Sequence, residues 1–336
     1  MSAIEIPSVP QGPEPASEPA LVLRAEGRPA SRWYRQPALM AGIAILAIVV
    51  GMALAAPLIT SYNPIAQNLN ESLLGPSAHH LLGTDQLGRD VFSRTVYGAR
   101  PVLVASLLGV VLATLAGVAL GVVAGVSPRW LNSVIMRIID VLLALPVLLI
   151  ALILISVAGA GIPSIVIAIG VAFTPGFARI VQASVRTLRS VEYVQAARVM
   201  GSTGARTSFR HLIPNLMTEV VVLGTSAIGW AVLTATTLSF LGLGVQLPQP
   251  DWGSDLAAGA NQLSTAWWLS TFPGLAITIT ILAANFVGDY LMTALDPRDG
   301  VRFSLSTMLT GRTRRGGLAA LPARREAEVP RSGESA

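Results

Sequence analysis

The sequence predicts an all-α integral membrane protein with six transmembrane helices and both termini in the cytosol. Three observations support this fold class. The 336-residue chain is 52% hydrophobic and only 12% charged, which is about half the charged fraction of a typical soluble domain. It contains several uncharged runs, and a bilayer core of about 30 Å takes roughly 20 residues of helix to cross. Its basic residues fall mainly on one predicted side of the membrane.

The positions of the six spans follow from the uncharged runs. Most runs hold one helix, but the run 141–178 is too long for one and is divided by the turn-like sequence 158–164. We expect the second span to begin at Pro101, where the missing N–H of proline costs no hydrogen bond. Pro146 falls inside the third span. The predicted spans lie near residues 38–59, 101–125, 136–158, 163–183, 217–242 and 269–294.

Small residues form a stripe along the second span. Ala113, Gly117, Gly121 and Gly125 are spaced four apart and therefore share one helix face. Such a stripe lets another helix approach closely in lipid. We expect this face to pack within the helix bundle.

The arginines set the predicted topology. All 23 basic residues are arginine, and with the N-terminus inside, twenty are cytosolic while Arg89, Arg94 and Arg100 are outside. This is a strong positive-inside bias, and it places the 188–215 segment in the cytosol. The net charge of +5 therefore reflects topology, since the arginines do not alternate with aromatic residues as in nucleic-acid-binding proteins. The sequence predicts a multi-pass protein of the cytoplasmic membrane.

Several function classes are disfavoured by residues that are missing. The chain has no cysteine, and His79, His80 and His211 lack metal-ligand spacing with acidic residues, so no metal site is predicted. It has no phosphate-binding GxxxxGK[ST] loop and no ionisable residue near the middle of a span, which a proton-driven carrier usually needs. We therefore predict no catalytic residue, no bound cofactor and no enzymatic activity. Any energy that the protein uses would come from another polypeptide.

The segment 188–215 is the only long polar interruption with apolar spans on both sides. A helix-forming run ends at Gly201, which can adopt the left-handed conformation that ends a helix. A second short run follows and ends at Pro214. Ala196 and Ala197 favour helix and keep its surface thin enough for a partner to approach. The segment is therefore predicted to be a polar helix pair that contacts another protein.

The same segment resembles the cytoplasmic EAA loop of ATP-binding-cassette importer permeases. The family pattern is EAA, three residues, Gly, nine residues, then I-x-L-P. Here Gln195 replaces glutamate, His211 replaces isoleucine and Ile213 replaces leucine, while every spacing is kept. The resemblance implies that the loop docks onto an ATPase subunit and transmits its motion to the membrane helices. The coupling residues it implies are Glu192, Tyr193, Gln195, Ala196, Ala197, Met200, Gly201, His211 and Pro214.

Three further segments, 81–100, 239–253 and 285–298, narrow the resemblance. They are similar to the second permease subunit of dipeptide, oligopeptide and nickel importers, a binding-protein-dependent transport system inner-membrane component. This implies the type I importer permease fold with six spans. Four of the charged side chains of the first segment can alternatively pair within a short outer helix or turn, namely Asp85, Arg89, Asp90 and Arg94.

The domain organisation follows from composition and resemblance together. Residues 1–30 are rich in Pro, Glu, Ser and Ala and are predicted to be a disordered cytosolic tail. Residues 31–80 would hold the anchor helix and the start of an extracytoplasmic segment. Residues 81–300 would form the transmembrane domain, and residues 301–336 a second cytosolic tail, also predicted to be disordered.

The resemblance also implies a transport complex. Its members would be a second, homologous permease, two ATPase subunits that use ATP and Mg²⁺, and an extracytoplasmic solute-binding protein. The expected substrate is a di- or oligopeptide, with nickel, glutathione or another small solute as alternatives. A secondary carrier and a membrane scaffold are the rival classes. Hydroxyl and indole groups of the fifth span could line the path, or could bond their own helix backbone: Thr225, Ser226, Trp230, Thr234 and Thr237.

Overall fold

The computed structural model describes residues 37–190 and 212–295, where regular structure is helical apart from one isolated β-bridge. Five helices are long and apolar enough to cross a membrane, and a bent pair could supply a sixth span. The predicted all-α membrane fold is therefore confirmed. The helices are α1 Pro37–Leu54, α2 Ala56–Ile59, α3 Val91–Val126, α4 Arg129–Ala144, α5 Val147–Ala158, α6 Ile162–Arg189, α7 Ile213–Phe240, α8 Trp252–Ala260 and α9 Trp268–Leu295.

The second predicted span begins earlier than expected. Helix α3 begins at Val91, and Pro101 lies inside it rather than at its start. The helix is started by Asp90, whose Oδ2 accepts a hydrogen bond of 2.7 Å from the backbone N–H of Ser93. A capping carboxylate satisfies one of the N–H groups that a helix start leaves free. The prediction that the helix starts at the proline is therefore wrong.

The third predicted span is not one straight helix. Helices α4 and α5 meet at an angle of 94°, and Pro146 is the residue that precedes α5 rather than a residue within a span. Leu145 is extended, with φ −90° and ψ 139°, because a following proline disfavours the helical conformation. The 12 residues of α5 reach about 18 Å at 1.5 Å each, which is less than the bilayer core.

The small-residue stripe of α3 packs against α6, as predicted. Ala113 is fully buried. A Cβ atom added at Gly117 would lie 2.3 Å from Cβ of Phe177, and one added at Gly121 would lie 2.7 Å from the carbonyl oxygen of Ala178. Neither position has room for a side chain, so the backbones of α3 and α6 approach closely along much of their length.

The bundle has two distinct ends. At one, an apolar cluster joins the C-terminal end of α6 to the N-terminal end of α7, with the end of α3 packed against it. This is the end from which the 188–215 segment leaves, and we call it the loop end. At the opposite end, called the α8 end, α8 and the start of α9 pack against residues 73–91 and the beginning of α3.

Candidate functional site

The predicted coupling segment is only partly within the described residues. Its first residues, up to Ser190, follow α6, and its last residues, from Leu212, lead into α7. Pro214 lies in the first turn of α7, where the lack of an N–H leaves no intrahelical hydrogen bond unmade. The other predicted coupling residues lie outside the described residues: Glu192, Tyr193, Gln195, Ala196, Ala197, Met200, Gly201 and His211.

Both ends of this segment are anchored in the same apolar cluster at the loop end. Leu212 and Leu216, at the start of α7, are almost fully buried together with Val181 and Val185 of α6. Close-packed side chains of this kind transmit displacement instead of absorbing it. A force applied to the segment would therefore act on α6 and α7 together.

Polar contacts add a third helix to this anchorage. The Nη1 of Arg189, the last residue of α6, donates a 2.6 Å hydrogen bond to the carbonyl oxygen of Gly125 near the end of α3. The hydroxyl of Ser184 donates to Oε1 of Glu219 on α7 across 2.8 Å. Helices α3, α6 and α7 are thus tied together where the segment leaves the bundle.

A groove of about 650 Å³ opens between the α4–α5 break, α6 and α7. Four of the five predicted path residues line it, namely Ser226, Trp230, Thr234 and Thr237, and Thr225 is not among the lining residues. Most other lining side chains are aliphatic or aromatic. The indole of Trp230 is 66% exposed and is the largest side chain that α7 presents there.

The threonines on α7 use their hydroxyls within their own helix. Thr225 donates to the carbonyl oxygen of Val221 at 2.6 Å, Thr234 to Trp230 at 2.8 Å, and Thr237 to Leu233 at 2.7 Å. This agrees with the alternative prediction that these hydroxyls bond the backbone of their own helix. Each hydroxyl oxygen keeps acceptor capacity, so Thr234 and Thr237 can still accept hydrogen bonds from a solute in the groove.

The motif 81–100 meets the motif 239–253 and α8 at the α8 end. Arg94 is 2% exposed. Its Nε donates to Oδ1 of Asp255 across 3.0 Å, and its Nη1 donates to the carbonyl oxygens of Pro64 and Pro248, each across 3.1 Å. One guanidinium therefore joins α3, α8 and two loops. Sequence reasoning missed this contact because Asp255 is 161 positions away and lies outside the motifs.

The other charged residues of the motif pair locally. Asp85 accepts from the Nε of Arg89 at 2.6 Å, as the alternative of pairing within a turn predicted. Asp90 caps α3 and also contacts Nδ1 of His80 at 3.0 Å. The prediction of local pairing is therefore right for Asp85 and Arg89 and wrong for Arg94, which pairs with the distant Asp255.

Two tryptophans complete the packing at the α8 end. The indole N–H of Trp252 donates to the carbonyl oxygen of Thr95 at 2.7 Å. The indole N–H of Trp268 donates to the carbonyl oxygen of Thr84 at 3.1 Å. Both rings are buried. Because a buried indole needs an acceptor for its N–H, these contacts fix α8 against α3 and fix the start of α9 against the loop that precedes α3.

Burial alters the acidity of the carboxylates on the extramembrane helix α8. Burial raises the pKa of Asp255 to about 6, and the positive charge of Arg94 acts in the opposite direction. Burial also raises the pKa of Asp251, and hydrogen bonds from the backbone N–H groups of Ser254 and Gly253 offset only part of this rise. Within the described residues, the second carboxylate oxygen of Asp255 is buried and accepts no hydrogen bond, which makes the environment of its charged form unfavourable.

Comparison with known proteins decides the family. Residues 117–299 match the model of the family described as binding-protein-dependent transport system inner membrane component. This chain belongs to that family. Residues 30–76 also match the N-terminal transmembrane domain of oligopeptide transport permease C. The protein is accordingly a multi-pass inner-membrane permease.

Individual relatives of this permease cover most of the chain. A di/tripeptide transport system permease protein of Pseudomonas aeruginosa is 39% identical over 84% of this chain and 96% of its own length. A dipeptide transport system permease protein of Escherichia coli K12 is 42% identical over 79% of this chain and 90% of its own length. A glutathione transport system permease protein of Pectobacterium atrosepticum is 38% identical over 80% of this chain and 89% of its own length.

Proposed function

We propose that this permease is the non-catalytic transmembrane subunit of an ATP-driven importer that carries di- and oligopeptides into the cell. Coupling to an ATPase is supported by one observation: α3, α6 and α7 are packed and hydrogen-bonded together where the 188–215 segment leaves the bundle. The relatives named for di- and tripeptide transport support the substrate class.

The proposed complex contains a second, homologous permease, two ATPase subunits and an extracytoplasmic solute-binding protein. ATP and Mg²⁺ would be used by the ATPase subunits alone. Closure of the ATPase pair would displace the 188–215 segment, with Glu192, Gln195 and Gly201 at the contact. Since Leu212 and Val185 are buried in one cluster, the displacement would reach α6 and α7 together.

The groove beside α7 has a lining that could contact a peptide as it crosses the membrane. A peptide backbone offers N–H and C=O groups at regular spacing, and the acceptor lone pairs of Thr234 and Thr237 can receive the N–H groups. The apolar lining and the indole of Trp230 suit side chains of differing character, because contacts with apolar surface are not directional. We assign these residues to the permeation pathway.

The experiment is uptake of a labelled dipeptide into vesicles that contain the purified complex. We expect uptake that requires ATP, the solute-binding protein and this subunit together. A complex whose ATPase carries a disabled catalytic site is the control. Uptake that persists without ATP would overturn the proposal in favour of a secondary carrier, and uptake that persists without this subunit would favour a scaffold.

Glutathione is the second candidate substrate, because a glutathione transport permease is among the relatives. It is itself a tripeptide derivative and would fit the same groove chemistry. Competition distinguishes the two candidates. An excess of unlabelled glutathione should leave dipeptide uptake nearly unchanged if dipeptides are the substrate, and should abolish it if glutathione is preferred.

A further inference from the structure

Helix α4 lies across the bundle instead of along it. Helix α5 packs lengthwise on α6, with Ala151 and Ile155 in one core cluster with Ile165 and Ala168. Helix α4 is turned by 94° from α5. Since α6 is a membrane-spanning helix, α4 is close to parallel with the membrane plane.

The contacts of α4 with α6 give the same geometry. The side-chain amides of Asn132 and Gln182 are 2.8 Å apart, and Asp140 pairs with Arg179. Between these contacts α4 advances about 12 Å while α6 advances only about 4.5 Å, at 1.5 Å per residue. The crossing lies at the loop end, where α6 becomes polar, and a change from apolar to polar residues along a span is expected at the membrane–water interface.

The faces of α4 fit an interfacial position. Asn132 and Ile139 are buried on one side of the helix. On roughly the opposite side, at about 100° per residue, an exposed apolar face contains Trp130, Val134, Ile138 and Val141. A helix with one apolar face open to the surroundings is typical of proteins that rest in the headgroup region.

Two positive charges lie along one edge of the apolar face. Arg129 and Arg137 are exposed, and neither guanidinium has a hydrogen-bond or ion-pair partner within residues 37–190 and 212–295. The nearby carboxylate of Asp140 is neutralised by Arg179. Trp130 is 68% exposed, and exposed tryptophans prefer the headgroup level of a bilayer.

We propose that α4 is an interfacial helix that binds anionic phospholipid at the loop end. Arg129 and Arg137 hold the headgroup phosphate, while Val134, Ile138 and Val141 lie on the acyl chains. We assign lipid as the ligand because exposed apolar side chains and positively charged side chains lie next to each other on α4, as acyl chains and anionic headgroups do in a bilayer. The site is separate from the proposed groove contacts of α7 and does not depend on the identity of the solute.

Brominated lipids test the proposal on the full-length chain in nanodiscs. The natural chain has no cysteine, so single cysteines carry a bimane label without background. We expect Val134→Cys, on the apolar face, to be quenched by brominated acyl chains and the control Ser133→Cys, on the polar edge, to be quenched far less. Brominated phosphatidylglycerol diluted in phosphatidylcholine should quench Val134→Cys more than the reverse mixture does.

Charge variants then test the headgroup contact. Arg129→Gln and Arg137→Gln should each reduce the preference for phosphatidylglycerol roughly fivefold, and Arg129→Lys and Arg137→Lys should keep it. Equal quenching by the two lipids would overturn the proposal. It would also be overturned if a photocrosslinker at position 134, in native membranes, formed adducts with a protein subunit instead of lipid.

Discussion

Arg94 and Asp255 form a buried ion pair that joins the first turn of α3 to α8, across 161 positions of sequence. Their side chains are 3% and 12% exposed. The same guanidinium binds two loop carbonyl oxygens. The pair thereby fixes the position of α8 at the end of the bundle opposite the 188–215 segment.

Replacement of Arg94 by alanine is expected to destabilise the protein by about 3–5 kcal/mol at neutral pH, because it leaves a buried carboxylate without its partner. Thermal unfolding of the purified chain in detergent measures the loss. Arg179→Ala is the matched control, since the Arg179–Asp140 pair is exposed and exposed pairs contribute at most about 1 kcal/mol. Equal losses for the two variants would contradict the assigned role.

The stability of the protein should depend on the proton of Asp255. Burial raises the pKa of this carboxyl from 3.8 to about 6, so the folded protein keeps a proton that the unfolded chain has already lost. Stability therefore falls as pH rises from about 4 to about 6 and stays at the lower value above that range. The loss is about 3 kcal/mol at most, since one pKa unit corresponds to about 1.4 kcal/mol.

Asp255→Asn provides the comparison for this pH effect. The amide has the same shape and does not titrate, so the difference in melting temperature between the natural chain and the variant should change between pH 4 and pH 6. A difference that is constant over this range would show that Asp255 has an ordinary pKa. Comparison with the natural chain at each pH removes the contribution of Asp251, which titrates in both proteins.

Substitution of Gly117 by alanine should destabilise the bundle by about 1–3 kcal/mol, as overpacking does. The new Cβ would lie 2.3 Å from Cβ of Phe177, so one helix must shift. Gly176→Ala, on α6, is the control because a Cβ atom added there would meet no other part of the described structure within 4 Å, apart from nearby residues of its own helix. It should be neutral or slightly stabilising, since alanine favours helix by roughly 0.5–1 kcal/mol over glycine. Unchanged stability of the first variant would contradict close backbone packing.

Gly201→Val should abolish coupling between ATP hydrolysis and transport while the protein still inserts into the membrane. A β-branched residue rarely adopts the left-handed conformation predicted there, whereas asparagine tolerates it. Gly201→Asn is therefore the control and should retain most transport. The measurement is the ratio of solute imported to ATP hydrolysed in the reconstituted complex. Normal coupling by the valine variant would show that the predicted turn is absent.

The sequence predicted best those features that depend on local composition. Helices α1, α6, α7 and α9 lie close to the predicted spans because apolar length alone determines a membrane helix. The glycine stripe was also correct, since Gly117 and Gly121 leave space only for a neighbouring backbone. The same composition could not show that α4 lies across the bundle, because hydropathy counts apolar residues without regard to the angle between helices.

Long-range contacts were outside the reach of sequence reasoning. The charges of segment 81–100 fitted local pairing, and only the fold brings Arg94 to Asp255. Helix α8 was missed because its nine residues are neither long nor apolar enough to give a span signal. The groove was partly anticipated, since Trp230 and Thr234 do line it. Thr225 lies outside because, at about 100° per residue, it is on the side of α7 opposite Thr234.

The glycines of α3 that face α6 limit how this protein can change shape, because side chains of α6 fill the space beside them. Sliding one helix past the other would push Phe177 or Val181 against the neighbouring main chain, so the two should travel as a single rigid body. An alternation between two access states must then be accommodated elsewhere. The joint at Leu145 and Pro146, where α4 and α5 meet at 94°, is the place where we expect the molecule to bend.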